Sequence, residues 1–329
     1  MTTPTETLID RASSLFREPL LWVLPEAVAG LRNMRSLSVM HSFKPDVLAL
    51  QRMGITASQG WPEGPFNAIA LTLPRQVEWA CGLMAEALER LSNGGTMLIT
   101  AHNTQGGKRY AAMLEEHFDL SFTDSKNHCR LAAVERPAQL PEIIKIWKNN
   151  YIPKPVEGSS LLTLPGTFSC DHVDSGSALL ARHLPELQGR IADFGAGWGY
   201  LAHHLLQQKI HPAHIDLFEA DDNALGMARK NLAAWNGKLG FFWHDLLSEP
   251  VGGGYDAVVM NPPFHDLRDA SAGIGRGFIA AAAKSLKQGG TLWMVANRHL
   301  PYEEILKTSF ASWRSVADEG GFKVITAQR

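Results

Sequence analysis

The 329-residue chain carries 31 Lys and Arg against 33 Asp and Glu, with 45% hydrophobic and 19% charged residues. These proportions exclude a disordered or fibrous chain and a uniformly basic nucleic-acid coat, and the length suits two domains. Cys81, Cys129 and Cys170 are too scattered for a disulfide framework or a zinc site, which points to a reducing compartment and no metal.

At the N-terminus, Glu6 and Asp10 stand where a signal peptide would place basic residues. No apolar run approaches the roughly 20 residues of a membrane span, and FIAAAAKSL is broken by Lys284. The expectation is a cytoplasmic protein with no membrane partner. Farther on, three segments of the first half return in the second. FNAIALTLPR (66–75) resembles YDAVVMNPPF (255–264), LSNGGTMLITA (91–101) resembles LKQGGTLWMVA (286–296), and CRLAAVER (129–136) resembles FKVITAQR (322–329). The offsets are 189, 195 and 193, a drift that loop insertions allow. Two copies of one fold are expected, over 1–145 and 165–329. The segment 146–164, with Pro153, Pro155 and Gly158, reads as a linker lined by Lys145, Lys148 and Lys154.

In the second copy, strands are expected at 191–194, 214–219, 241–244, 255–260 and 291–296. Helices are expected at 200–208, 223–235 and 278–287, with a short one near 302–310. Segments 313–317 and 322–327 meet through Gly320 and Gly321 as a hairpin. Strands alternating with helices argue an α/β fold: a mostly parallel sheet wrapped on both faces, closed by an antiparallel hairpin. Ligands of such sheets bind beyond the carboxyl ends of the strands.

Those ends carry the chemistry. Asp193, Gly195, Gly197 and Gly199 form a GxGxG turn led by a carboxylate. The spacing is not the GxGxxG of a dinucleotide site, which disfavours a dehydrogenase, and Asp193 suits a cationic ligand group. Glu219 ends the next strand, where an acidic side chain can take both hydroxyls of a ribose, or be a solvated strand end. Asp245 follows the third strand and is either an acceptor for an adenine amino group or a helix N-cap. Asn261-Pro262-Pro263-Phe264 follows the fourth. Two prolines force the chain out of the sheet. The turn aims two acceptors, the Asn261 amide oxygen and the Pro262 carbonyl, at a planar NH₂, and Phe264 can stack on the ring bearing it.

Here the second half resembles the class I S-adenosylmethionine-dependent methyltransferases, with a tetrad like that of amino-group N-methyltransferases. The tetrad with His265, the segments Leu164 to Ser169 and Asp174 to Ser177, and the N-terminal copy together resemble one family: the bacterial ribosomal RNA small-subunit guanine-N2 methyltransferases of the C type. The resemblance spans essentially the whole chain and is specific over 164–300. It implies two tandem Rossmann-like domains, the first degenerate and serving as scaffold or RNA holder, and methyl transfer from S-adenosylmethionine to a guanine N2. It implies a monomer whose partner is ribosomal RNA or the small ribosomal subunit. Asn261, Pro262 and Phe264 would be catalytic. Phe168, Asp174, Asp193, Gly195, Gly197, Glu219, Asp245 and Asn261 would hold the cofactor. Phe264, His265, Arg268 and Arg298 would meet the substrate. Phe194 and Trp198 depart from the family, occupying a loop where smaller residues are usual.

In the first copy, Thr72-Leu73-Pro74-Arg75 replaces the tetrad, and 35–42, where the glycine loop is expected, holds no glycine. Arg75, Lys108 and Arg109 are expected in loops at its strand ends, while Arg268 and Arg276 flank the tetrad loop of the second copy. Three competing functions remain: the same chemistry on adenine N6, on a large-subunit guanine or on a protein glutamine amide. An inactive, cofactor-binding ribosome-assembly factor is the alternative of another class.

Overall fold

The computed structural model describes the backbone of residues 2–263 and 268–329, and the side chains of 2–263 and 273–329. It divides into two units, Met1–Ile152 and Pro153–Arg329. The first is built in order from α1 (Pro4–Ala12), β1 (Leu20–Val23), β2 (Leu37–Met40), α2 (Lys44–Arg52), β3 (Ala57–Ser58), β4 (Phe66–Thr72), α3 (Val77–Arg90), β5 (Leu91–His102), α4 (Gly107–Glu115), β6 (Leu120–Lys126), β7 (Cys129–Glu135) and α5 (Ile143–Asn150). In the second a small hairpin, β8 (Lys154–Pro155) and β9 (Leu162–Thr163), precedes α6 (Ser175–His183), β10 (Arg190–Phe194), α7 (Tyr200–Gln207), β11 (His214–Glu219), α8 (Asp222–Asn231), β12 (Leu239–Trp243), β13 (Tyr255–Met260), α9 (Arg268–Ser285), β14 (Leu286–Asn297), α10 (Glu303–Ser309), β15 (Ser312–Glu319) and β16 (Phe322–Gln328).

Both large sheets have the same plan. Their strand orders are β3-β2-β1-β4-β5-β7-β6 and β12-β11-β10-β13-β14-β16-β15. In each, five strands run parallel and the last two form the expected antiparallel hairpin. Central strands such as β4 and β13 are nearly continuous apolar runs, as parallel strands covered on both faces must be. Apolar clusters lie on both sides of each sheet.

The pairing registers match the copies residue by residue. Trp22 pairs with Val39 and Ala70, and Asp193 pairs with Leu217 and Val259. Trp22 is thus the counterpart of Asp193, and two residues on from Val39 and Leu217 His41, just past β2, stands opposite Glu219. The 189-residue offset places Thr72 opposite Asn261. This corrects one expectation: 35–42 contains β2, the counterpart of β11, so the glycine loop is matched by Leu24 and the residues after it. Leu24 still holds φ +55, close to the φ +70 of Gly195, a left-handed conformation that disfavours a branched side chain. The helix that follows the glycine loop, α7, has shrunk in the first unit to a single 3-10 segment, Ala29–Asn33.

The segment 146–164 is not a linker. Helix α5 belongs to the first unit, where Ile144 and Trp147 are buried and Lys148 pairs with Glu86 and Glu89 of α3. Lys145 pairs with Glu142. The prolines and Gly158 shape the β8–β9 hairpin of the second unit, whose Val156 and Leu161 pack on Trp198 and Met227. Two helices also differ from expectation. Helix α8 ends at Asn231, with an irregular turn over Ala233–Lys238. Helix α9 starts ten residues before the expected 278, because its glycine-rich first half reads as loop. Gly275 is where the Tyr302 ring comes so close that no Cβ fits.

Candidate active site

The site lies at the carboxyl ends of β10, β11 and β13, with the N-terminus of α6 beside them. The residues lining its cleft include Phe168, Asp174, Ser177, Gly195, Gly197, Trp198 and Asn261. Asp193 is the last-but-one residue of β10 and is fully buried. Neither of its carboxylate oxygens has a hydrogen-bond partner among the described residues. Burial, reinforced by the charge of Glu219, pushes its carboxyl up to about 7. A buried carboxylate without a partner is costly, so its retention needs an outside partner.

Glu219, at the end of β11, accepts from the backbone N–H of Gly197 at 2.7 Å through Oε2 and from that of Asp221 at 2.9 Å through Oε1. Burial raises its pKa also. The carboxylate thus pins the glycine loop to the neighbouring strand. Gly197 has open space where a side chain would stand, so the loop backbone is left accessible to a ligand. The two bulky residues here, Phe194 at the end of β10 and Trp198 in the loop, are both buried. Phe194 is buried edge-to-face against Phe218, and Trp198 is buried under the β8–β9 hairpin with its Nε1 donating to the Phe168 carbonyl.

Asn261 follows β13 directly. Its Nδ2 donates to Asp174 Oδ2 at 2.8 Å and to Ser177 Oγ at 2.7 Å. Both amide hydrogens are engaged, while Oδ1 is buried with no partner among the described residues. Asp174 is also the N-cap of α6, its Oδ2 accepting from Ser177 N at 2.7 Å. The orphan acceptor suits an incoming N–H donor.

The fit to S-adenosylmethionine rests on three features: an uncompensated buried carboxylate, an exposed glycine-loop backbone and a second carboxylate one strand away. Asp193, Gly195, Gly197 and Glu219 are the residues that would hold it. Other expected residues do not join them as directly. Asp245 spends Oδ1 on Leu247 N and Oδ2 on the Ser248 hydroxyl, so its visible task is capping the turn. Arg298 is exposed, with its guanidinium paired to Asp318. Phe264, His265 and the side chain of Arg268 lie outside the described residues. Phe168 lines the cleft and is half exposed. Two residues were missed. Ser177 lies in the segment Asp174 to Ser177 that carries the resemblance, three residues after the cap Asp174, but no site role was read for it. Asn231 bonds both the N–H and C=O of Leu162 and the Trp198 carbonyl, tying strand β9 of the hairpin to the loop.

The counterpart positions of the first unit are closed. Trp22 Nε1 donates to Thr72 Oγ1 at 3.2 Å, and Thr72 meets Thr5 Oγ1 at 3.1 Å. Glu26, which stands as far after Trp22 as Gly197 after Asp193, takes the N–H and hydroxyl of Thr5 on its carboxylate. His41 is buried, its Nδ1 accepting from Phe43 N as Glu219 accepts from Asp221. Burial holds its pKa down at about 4, which keeps it neutral. Lys108 and Arg109 sit on the first turn of α4 rather than in a loop; both are exposed, as is Arg75.

Residues 158–326 match the family model described as the methyltransferase small domain. The chain is 32% identical to the ribosomal RNA small subunit methyltransferase C of Shewanella loihica over 79% of its length and 76% of that protein. It is 30% identical to the protein of the same description in Shewanella sediminis, over 80% and 77%. Among solved structures it resembles the 16S ribosomal RNA N2 G1207 methyltransferase of T. thermophilus in complex with AdoMet and guanosine. That likeness has a TM-score of 0.78 at 22% identity and covers 99% of this chain and 92% of the other.

Proposed function

The chain belongs to the ribosomal RNA small subunit methyltransferase C family, and on that premise we propose that it methylates the exocyclic N2 of a guanine in small-subunit ribosomal RNA, using S-adenosylmethionine. The observation that carries this reading is the Asn261 amide, with both hydrogens engaged and Oδ1 left as a buried acceptor without a partner among the described residues.

S-adenosylmethionine supplies a methyl group already activated on a sulfonium. Asp193, Glu219 and the glycine-loop backbone hold the cofactor. Asn261 Oδ1 and the Pro262 carbonyl accept the two hydrogens of the target amine, which turns its lone pair toward the methyl and stabilises positive charge as it develops. Transfer to the neutral amine would first give a methylated ammonium, which is acidic enough to lose its proton to water, so no strong base is needed. The base must leave its stack to reach the site, and Phe264 would pack on it, with His265 and Arg268 beside it. The first unit serves as scaffold and RNA holder, with Arg75, Lys108 and Arg109 as exposed cations on that unit. A ribosomal RNA substrate supports a cytoplasmic location. Among the described residues, no helix is long and apolar enough to cross a membrane.

The test is transfer of labelled methyl from S-adenosylmethionine to small ribosomal subunits, followed by nucleoside analysis. Label in N2-methylguanosine is expected. Label in N6-methyladenosine, in large-subunit RNA or in protein glutamine would select another acceptor. Cofactor binding without transfer to any of them would leave an assembly factor.

A further inference from the structure

The Asn261 amide can sit two ways round, and only one presents an acceptor to an amine. A carboxylate cannot donate a hydrogen bond, so Asp174 Oδ2 at 2.8 Å admits only the Nδ2 end of the amide. The Ser177 hydroxyl, 2.7 Å away, takes the other amide hydrogen. Both holders belong to the start of α6, which is fixed in turn by Leu179 and Leu180 in the core. The first unit has the same mechanical joint without its chemistry. There Thr3 caps α1 and Thr5 meets Thr72 at the end of β4, with no amide at the junction and the Glu26 carboxylate engaged by Thr5.

We propose that Asp174 and Ser177 are positioning residues for methyl transfer, locking the Asn261 amide with Oδ1 toward the reacting amine. Asp174 adds a second effect: an anion on the N–H side of an amide polarises it and makes its oxygen a better acceptor. Asp174 thus acts on the substrate side through Asn261 rather than as a cofactor ligand. This inference rests on the reading of Asn261 as acceptor for the target amine.

The experiment is a double-mutant cycle on the full chain. Single-turnover transfer to small ribosomal subunits and S-adenosylmethionine affinity by calorimetry are measured for Ser177→Ala, Asp174→Asn and Asp174→Ala, alone and combined with Asn261→Ala. Ser177→Ala leaves the cap in place, and Asn caps a helix about as well as Asp, so two of the variants keep the start of α6 intact. The transfer rate should fall about tenfold for Ser177→Ala and Asp174→Asn, and up to about 10²-fold for Asp174→Ala, the scale of a misplaced reacting group. Cofactor affinity should stay within about threefold. On the Asn261→Ala background, none of the three should cost anything further, because the group they act through is gone. Losses that persist on that background, a parallel fall in cofactor affinity, or unchanged transfer in Ser177→Ala and Asp174→Asn would each overturn the inference while leaving Asn261 as acceptor. Wild-type transfer by Asn261→Ala alone would overturn both.

Discussion

The two sheets share strand order and register, and they differ most where three strands end. At matched positions the second unit holds Asp193, Glu219 and Asn261, and the first holds Trp22, His41 and Thr72. In the second unit, three buried oxygens of Asp193 and Asn261 lack partners among the described residues. In the first, the Trp22 N–H, His41 Nδ1 and Thr72 hydroxyl are all engaged within the unit. One framework can therefore satisfy its strand ends from inside, or leave them unsatisfied for a ligand. The second choice costs stability, and binding sites carry that cost.

The sharpest way to break this comparison is to truncate counterpart residues. Trp22→Ala should destabilise the protein by about 3–5 kcal/mol, the cost of emptying a large buried site, with no loss of cofactor affinity at 25 °C. Denaturant unfolding and calorimetry check the pair. An equal loss of cofactor affinity would mean that the first unit still takes part in binding.

Asn261→Ala should lower the transfer rate by about 10²–10³-fold, as when one preorganised transition-state partner is removed. Cofactor affinity should change by less than about 1 kcal/mol. Asn261→Asp keeps the shape but loses both donated hydrogens and sets a carboxylate oxygen against Asp174 Oδ2, so it should lose transfer activity as well in single-turnover assays. Parallel loss of binding and transfer would reassign Asn261 to the cofactor site or to the turn itself.

Asp193→Ala and Glu219→Ala should each weaken S-adenosylmethionine by roughly 1.5–3 kcal/mol, the worth of a charged hydrogen-bond partner. His41→Ala, at the counterpart of Glu219, should leave that affinity alone. Titration calorimetry on the three variants decides.

The smallest effect is on the pH dependence of the cofactor-free protein. The Asp193 carboxyl is raised from 3.8 to about 7 in the folded state. Stability from this group is complete below the unfolded value and is lost as pH rises through the folded one, at most about 1.4 kcal/mol per pH unit. Burial raises Glu219 in the same direction. Asp193→Asn should therefore flatten, and not abolish, the fall in thermal midpoint between pH 5 and 7. An unaltered slope would show that Asp193 is not the buried acid described here.

Much of this was legible in the sequence because it is local. The GxGxG turn, the acidic strand end and the proline pair after an apolar run each declare a strand end within a few residues. The repeat gave the duplicated plan, and the final hairpin was marked by its two glycines. What stayed hidden depends on distant pairing. Asp174 and Ser177 reach Asn261 across 87 and 84 residues, so their hold on its amide has no local signature. The first unit's loop was sought at 35–42, because only strand register shows that Leu24 takes the place of Gly195. Its φ of +55 has no mark in a leucine. Prolines at 153 and 155 read as a tether, although they shape a hairpin whose apolar residues close over Trp198.

The division between the copies is tested most directly by counting cofactor sites on the full chain with titration calorimetry. The account predicts one S-adenosylmethionine per chain, with affinity reduced by Asp193→Ala and untouched by His41→Ala. Two sites per chain, or a single site weakened by His41→Ala and not by Asp193→Ala, would contradict it.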